Sequence, residues 1–174
     1  MRLFTAENLC VSVEEIDFLN PNALEDGREL GVRVELRAIE PDTGPGTIYV
    51  SRGLNVGRGM CRFDFLESAP RAQDRMHWHP SMVDGDPHDR VFDTGLRTDP
   101  IGFLGERLRD AVALLKHCGV EDADRFASAA TALAGMTDAI LADVGAALEK
   151  IRSEPWPAVE QRDERGMPVA VTAG

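Results

Sequence analysis

The sequence predicts an α+β protein: an antiparallel sheet of about five strands within residues 1–100, packed against two C-terminal helices, the second of them long. Three observations predict it. Apolar residues recur at every second position in the first part of the chain. They recur at every third and fourth position after residue 103. Turn clusters rich in Gly and Pro dominate only the first part. Residues 1–152 then read as a single α+β domain, mainly β over 1–102 and helical over 103–152, with an extended C-terminal arm over 153–174.

The strands follow in order. Residues 9–13, with parts of 14–19, form an early strand. Over 30–39, Leu30, Val32, Val34, Leu36 and Ala38 face one way and Arg33, Glu35 and Arg37 the other. PDTGPG at 41–46 is a turn, and TIYVSR at 47–52 a short strand. Gly53, Gly57 and Gly59 mark a hairpin turn, because no strand-to-helix step surrounds them as a phosphate loop requires. Residues 59–66 alternate again, with Cys61, Phe63 and Phe65 opposite Arg62 and Asp64. Residues 76–82 place Met76, Trp78 and Met82 on one face and His77, His79 and Ser81 on the other.

The first helix spans 105–120, with Leu104, Leu108, Ala111, Val112 and Leu115 on one stripe and Gly119 at its C-cap. Asp122 is placed to cap a second helix running to about residue 152. At 1.5 Å per residue that helix is about 45 Å long unless Gly135 or Gly145 breaks it. Its many alanines permit close helix approach, which predicts a homo-oligomer formed through it. The alternative is a helix lying across its own sheet. In the arm, Trp156 is the anchor and PVAV at 168–171 an added edge strand.

Composition bounds the function. The 174 residues are 43% hydrophobic, enough for a core, and carry 19 basic and 30 acidic side chains, a formal charge of −11. Duplex nucleic acid and anionic membrane are excluded as main partners, since both need clustered positive charge. The N-terminus has no long apolar run, so it predicts neither a signal peptide nor a membrane span. Cys10, Cys61 and Cys118 lack CxxC spacing and read as reduced thiols of a cytoplasmic protein. The excess of Arg over Lys, with abundant Ala, suggests a GC-rich bacterial coding bias.

Three of the four histidines, His77, His79 and His88, lie within twelve residues. On a strand His77 and His79 share a face, and neutral imidazoles with carboxylates suit a divalent transition metal: zinc, iron, manganese or nickel. The predicted ligands are His77, His79, His88 and Asp84. If 59–66 and 76–82 pair symmetrically through ESAPRAQDR, Asp64 lies opposite His77 and Arg62 opposite His79. Asp64 then ligates the metal or orients His77, and Arg62 clamps an anion. Arg62, Asp64, His77 and His79 are thus the candidate catalytic residues, and Arg62 and Arg90 the candidate substrate-binding ones. HWHP with Asp84 resembles the histidine–acid spacing that opens a cupin metal site, and GLRTDPIG at 95–102 resembles the second cupin motif. No Gly lies six residues before His77, the acid is Asp, and Gly105 stands where the last His would, so the likeness is one of ligand spacing.

Three functions follow as expectations. The first is a metal-dependent enzyme, a hydrolase or related, acting on a small anionic or polar substrate. The second is a metal-free phosphodiesterase or nuclease-like enzyme with His77 and His79 as acid and base. The third is a non-catalytic oligomerising module.

Overall fold

A computed structural model describes residues 1–19, 28–41, 48–49 and 53–156. Five strands pair antiparallel in chain order: β1 (Arg2–Ala6), β2 (Leu9–Leu19), β3 (Arg28–Pro41), β4 (Leu54–Glu67) and β5 (His77–His79). Alternation decides what each face carries. Leu9, Val11, Val13, Val32, Val34, Leu36, Cys61, Phe63, Phe65 and Trp78 are all buried toward the helices. One apolar row, Val13–Val34–Phe63–Trp78, crosses four strands in register. The opposite face carries two polar rows, Glu14–Arg33–Asp64–His77 and Ser12–Glu35–Arg62–His79.

Several expectations change. Arg2–Ala6 forms an edge strand that sequence reading did not single out. The glycine-rich segment is no hairpin turn: β4 begins at Leu54 and takes in Gly57 and Gly59. The register shifts twice there, between Leu36 and Arg37 and between Arg37 and Ile39, so the glycines mark bulges and not a reversal. Of the expected strand at 47–52 only Ile48 and Tyr49 are described, and they are exposed and outside any strand.

After β5 the chain makes a separate two-strand hairpin, β6 (Met82–Val83) with β7 (Asp86–Pro87), and then turns helical. GLRTDPIG lies in α1 (Thr94–Thr98) and the start of α2 (Pro100–Arg109), and the sheet is open. The cupin likeness therefore ends at the ligand spacing. Asp93, Asp99 and Asp110 cap the N-termini of α1, α2 and α3 (Ala111–His117) through their side chains. The cap at Asp110 is why the first predicted helix is two. Gly119, with φ +71°, ends α3, and Val120 N–H donates to the Leu115 carbonyl in a Schellman-type bond. Asp122 makes no side-chain cap: its backbone is left-handed and leads into a 3₁₀ turn over Ala123–Phe126.

The long helical stretch is bent by 69° between Ala123–Ala134 and Thr137–Ser153, at Gly135 and Met136. This gives α4 (Ala127–Ala134) and the long last helix α5 (Thr137–Ser153), about 26 Å at 1.5 Å per residue. Ile140, Val144, Ala147, Leu148 and Ile151 of α5 are buried, and the helix packs on β2, β3 and α2. Its apolar stripe is thus used within the chain. Trp156 packs on the core and donates its Nε1–H to the Ile151 carbonyl at 3.0 Å. The rest of the arm, PVAV included, lies outside the described residues. No single helix among the described residues is long and apolar enough to cross a membrane.

Candidate metal centre

The site forms where the two polar rows reach β5. The hairpin register is Asp64 opposite His77, Phe63 opposite Trp78 and Arg62 opposite His79, the symmetric pairing the sequence suggests. Trp78 is drawn into the core, stacked on Phe63 at 5.5 Å, so both histidines must turn to the polar face.

Each imidazole is oriented by the main chain. His77 Nδ1 lies 2.7 Å from the Arg75 carbonyl oxygen and His79 Nδ1 lies 2.8 Å from that of Asp89. A carbonyl only accepts, so each Nδ1 carries the proton and donates it. In the neutral rings, Nε2 is then the bare lone pair. Both Nε2 atoms lie 3.4 Å from one oxygen, Asp64 Oδ2. The three donor atoms are within 4.8 Å of one another.

Asp64, His77 and His79 are at most 5% exposed, and His77 Nε2 is buried without a hydrogen-bond partner. Two lone pairs aimed at a carboxylate repel it unless a cation lies between them, either protons on the rings or a metal ion. Bonds of 2.0–2.1 Å at tetrahedral angles separate neighbouring ligand atoms by about 3.3 Å, close to the two nitrogen–oxygen separations of 3.4 Å.

The other oxygen, Asp64 Oδ1, accepts from Arg33 Nε at 2.8 Å. One carboxylate thus divides between an arginine and a histidine pair. Burial by itself would raise the Asp64 carboxyl, but the His77 and His79 rings beside it and the Arg33 guanidinium hold it well below the usual carboxylate range. The anion is kept charged where a metal needs it.

The remaining sequence candidates lie elsewhere. Arg62 is paired: its Nε donates to Glu35 Oε1 at 2.5 Å, and Glu35, 2% exposed, also binds Arg37. It is not free to clamp an anion as it stands. Asp84 sits at the tip of the β6–β7 hairpin, with its side chain 84% exposed and paired with Arg58. His88 is exposed beside Asp89, and Arg90 is exposed too. Asp84 and His88 thus lie outside the buried cluster, which among the described residues consists of Asp64, His77 and His79. Arg33 and Glu35 are the functional-looking residues that sequence reading did not single out. Their signal was the charged alternation of β3, but which partner each would meet depended on the β3–β4 register.

Two clefts lie apart from the cluster. One of about 740 Å³ runs between β4 at Val56–Met60 and the end of α3 at Cys118–Glu121. One of about 290 Å³ is lined by Trp78, Arg107 and His117 among others. Neither is lined by Asp64, His77 or His79. Phe92, 55% exposed, rests against His77 with ring centres 5.5 Å apart. No protein-family description matches this chain, and neither the curated proteins nor the solved structures hold a match to it.

Proposed function

We propose that this chain is a metal-dependent enzyme holding one divalent transition ion (zinc, iron, manganese or nickel) on Asp64, His77 and His79, and acting on a small polar or anionic molecule. The observation that carries the reading is the convergence of two Nε2 lone pairs on one ionised carboxylate oxygen. Three protein donors leave at least one position for water or substrate, which is the feature that separates catalytic from closed structural sites. Bound there, the ion would activate water or polarise a carbonyl. The chain itself supplies orientation, through the Arg75 and Asp89 carbonyls, and a fixed negative charge, through Arg33 on Asp64. Phe92 is the side chain a substrate would have to pass beside His77.

One observation favours a second reading, an ion that only braces the hairpin: all three ligand residues are buried. Elemental analysis of the purified protein tests the shared part. About one ion per chain, lost in the His77→Ala/His79→Ala double variant, is expected. A chain that stays metal-free after refolding with each of the four ions overturns both readings. Cobalt-substituted protein then separates them. A visible spectrum shifted by azide marks an open position, and one that azide leaves unchanged marks a closed set.

A further inference from the structure

The cleft of about 740 Å³ has one thiol in its lining, Cys118, and a second, Cys61, buried on the strand that forms its β4 wall. Cys61 lies on β4, fully buried on the helix-facing side of the sheet. Cys118 is the C-cap residue of α3, half-buried, and lines the cleft. The two side chains are 57 positions apart in sequence, yet β4 and the end of α3 face each other across the cleft and bring the two thiols within reach of each other. Cys10 is buried on the opposite face of the sheet, opposite Arg37.

We propose that Cys118 is an oxidisable thiol facing the cleft and that Cys61 resolves it, closing a disulfide that ties the β4 wall of the cleft to its helical wall. This inference does not rest on the metal reading.

The two thiols are asymmetric in access, as such a pair requires: Cys61 is fully buried, whereas Cys118 is half-buried and lines the cleft. The neighbouring Cys118 thiol, and then burial, push the Cys61 thiol well above the ordinary range. The neighbouring Cys61 thiol and the Arg107 charge, against the opposing effect of burial, hold the Cys118 thiol below it. The lowered thiol is also the one with access to the cleft, which is where oxidant arrives. Burial alone pushes the Cys10 thiol up, with Arg37 opposing.

The backbone on both sides can adapt. Met60, next to Cys61, falls in the register shift between Leu36–Cys61 and Arg37–Gly59. Cys118 is followed by left-handed Gly119, which has open space around its Cα. Each therefore adjoins an irregular segment, which eases the approach that a sulfur–sulfur bond of about 2.05 Å requires.

The chemistry balances with a hydroperoxide as oxidant. The Cys118 thiolate attacks the terminal peroxide oxygen and the O–O bond breaks. This gives Cys118 sulfenic acid and hydroxide, or an alkoxide from an organic peroxide. The Cys61 sulfur then attacks the Cys118 sulfur. The S–O bond breaks, the S–S bond forms, and water leaves with the Cys61 proton. Two thiols are oxidised by two electrons and one peroxide is reduced.

The test is peptide mapping of the reduced, full-length chain after brief treatment with hydrogen peroxide, alkylation and non-reducing digestion. The expected result is a Cys61–Cys118 linked peptide, lighter by two hydrogens, from protein that migrates as a single chain, with Cys10 alkylated. Three alkylated cysteines, a bridge through Cys10, or Cys118 carried on to sulfinic acid without a bridge would each overturn the proposal. A Cys61→Ala variant read by dimedone labelling sharpens it. The Cys118 adduct should rise several-fold over wild type, and equal labelling in both removes Cys61 from the resolving role. If that core substitution does not fold, the wild-type map decides alone.

Discussion

The short strand His77–His79 and the acidic loop that follows it are rich in the same residue types, and the structure treats them oppositely. In the first, two histidines are buried, held through Nδ1 by backbone carbonyls and aimed at a buried carboxylate. In the second, Asp84 and His88 are exposed and held only by surface partners. The difference is Trp78. A large apolar residue between two histidines ties their strand to the core and turns both rings to one side. The loop has no such residue, so its ligating groups stay in water. Proximity in sequence gathers ligand types, whereas alternation around an apolar anchor makes a site of them.

The comparison can be broken in four places. The largest effect is expected from Asp64→Ala. It leaves a half-buried arginine and two buried imidazoles without their anion, a loss of about 3 kcal/mol by urea unfolding, the low end for a broken buried pair because Arg33 keeps some contact with water. A loss near zero would mean the cluster is not the buried unit described here. Next, His79→Ala is expected to weaken metal binding by more than about 100-fold, since changes to mere supporting groups already reach that range. His88→Ala should leave the affinity unchanged by calorimetry, and equal losses in the two variants would restore His88 as a ligand.

Acid comes third. The Asp64 carboxyl is depressed in the folded state, so its contribution is fully present above the unfolded-state value of about 4 and is lost as pH falls below it. Unfolding midpoints of the metal-free protein should drop below that pH, and Asp64→Ala should flatten this part of the profile. Metal affinity should also fall on acidification, because binding displaces protons. The smallest effect is expected from Asp84→Asn, which keeps a residue that tolerates the left-handed backbone there and removes only an exposed charge pair. Stability should stay within about 0.5 kcal/mol of wild type.

Much of the site was legible because strand alternation is a local property. His77 and His79 had to share a face, and a symmetric hairpin had to set Asp64 against His77. The Arg33 and Glu35 pairings were not legible, because they need the β3–β4 register and a bulge whose place depends on close backbone approach. Helical content was legible from its periodicity. Its breaks were less so: Asp110 reads as helix interior until its side chain is seen capping the next helix. The bend at Gly135 depends on packing more than on propensity, since Gly145 stays inside α5.

The origin of the three donors in one hairpin has a kinetic consequence. Asp64 and His77 are thirteen positions apart, whereas Arg33 and Asp64 are separated by 31. Closing the shorter loop costs less chain entropy, and hairpins of this kind close in about 1–10 μs, ahead of longer-range pairing. The donor set can therefore assemble on a nascent two-strand ribbon before the Arg33 row joins it. An ion present at that stage would favour the ribbon in which Asp64 faces His77 over one slipped by a residue, which would turn one partner to the wrong side. In refolding experiments such an ion would act as a register pin, raising the folding rate more than it slows unfolding.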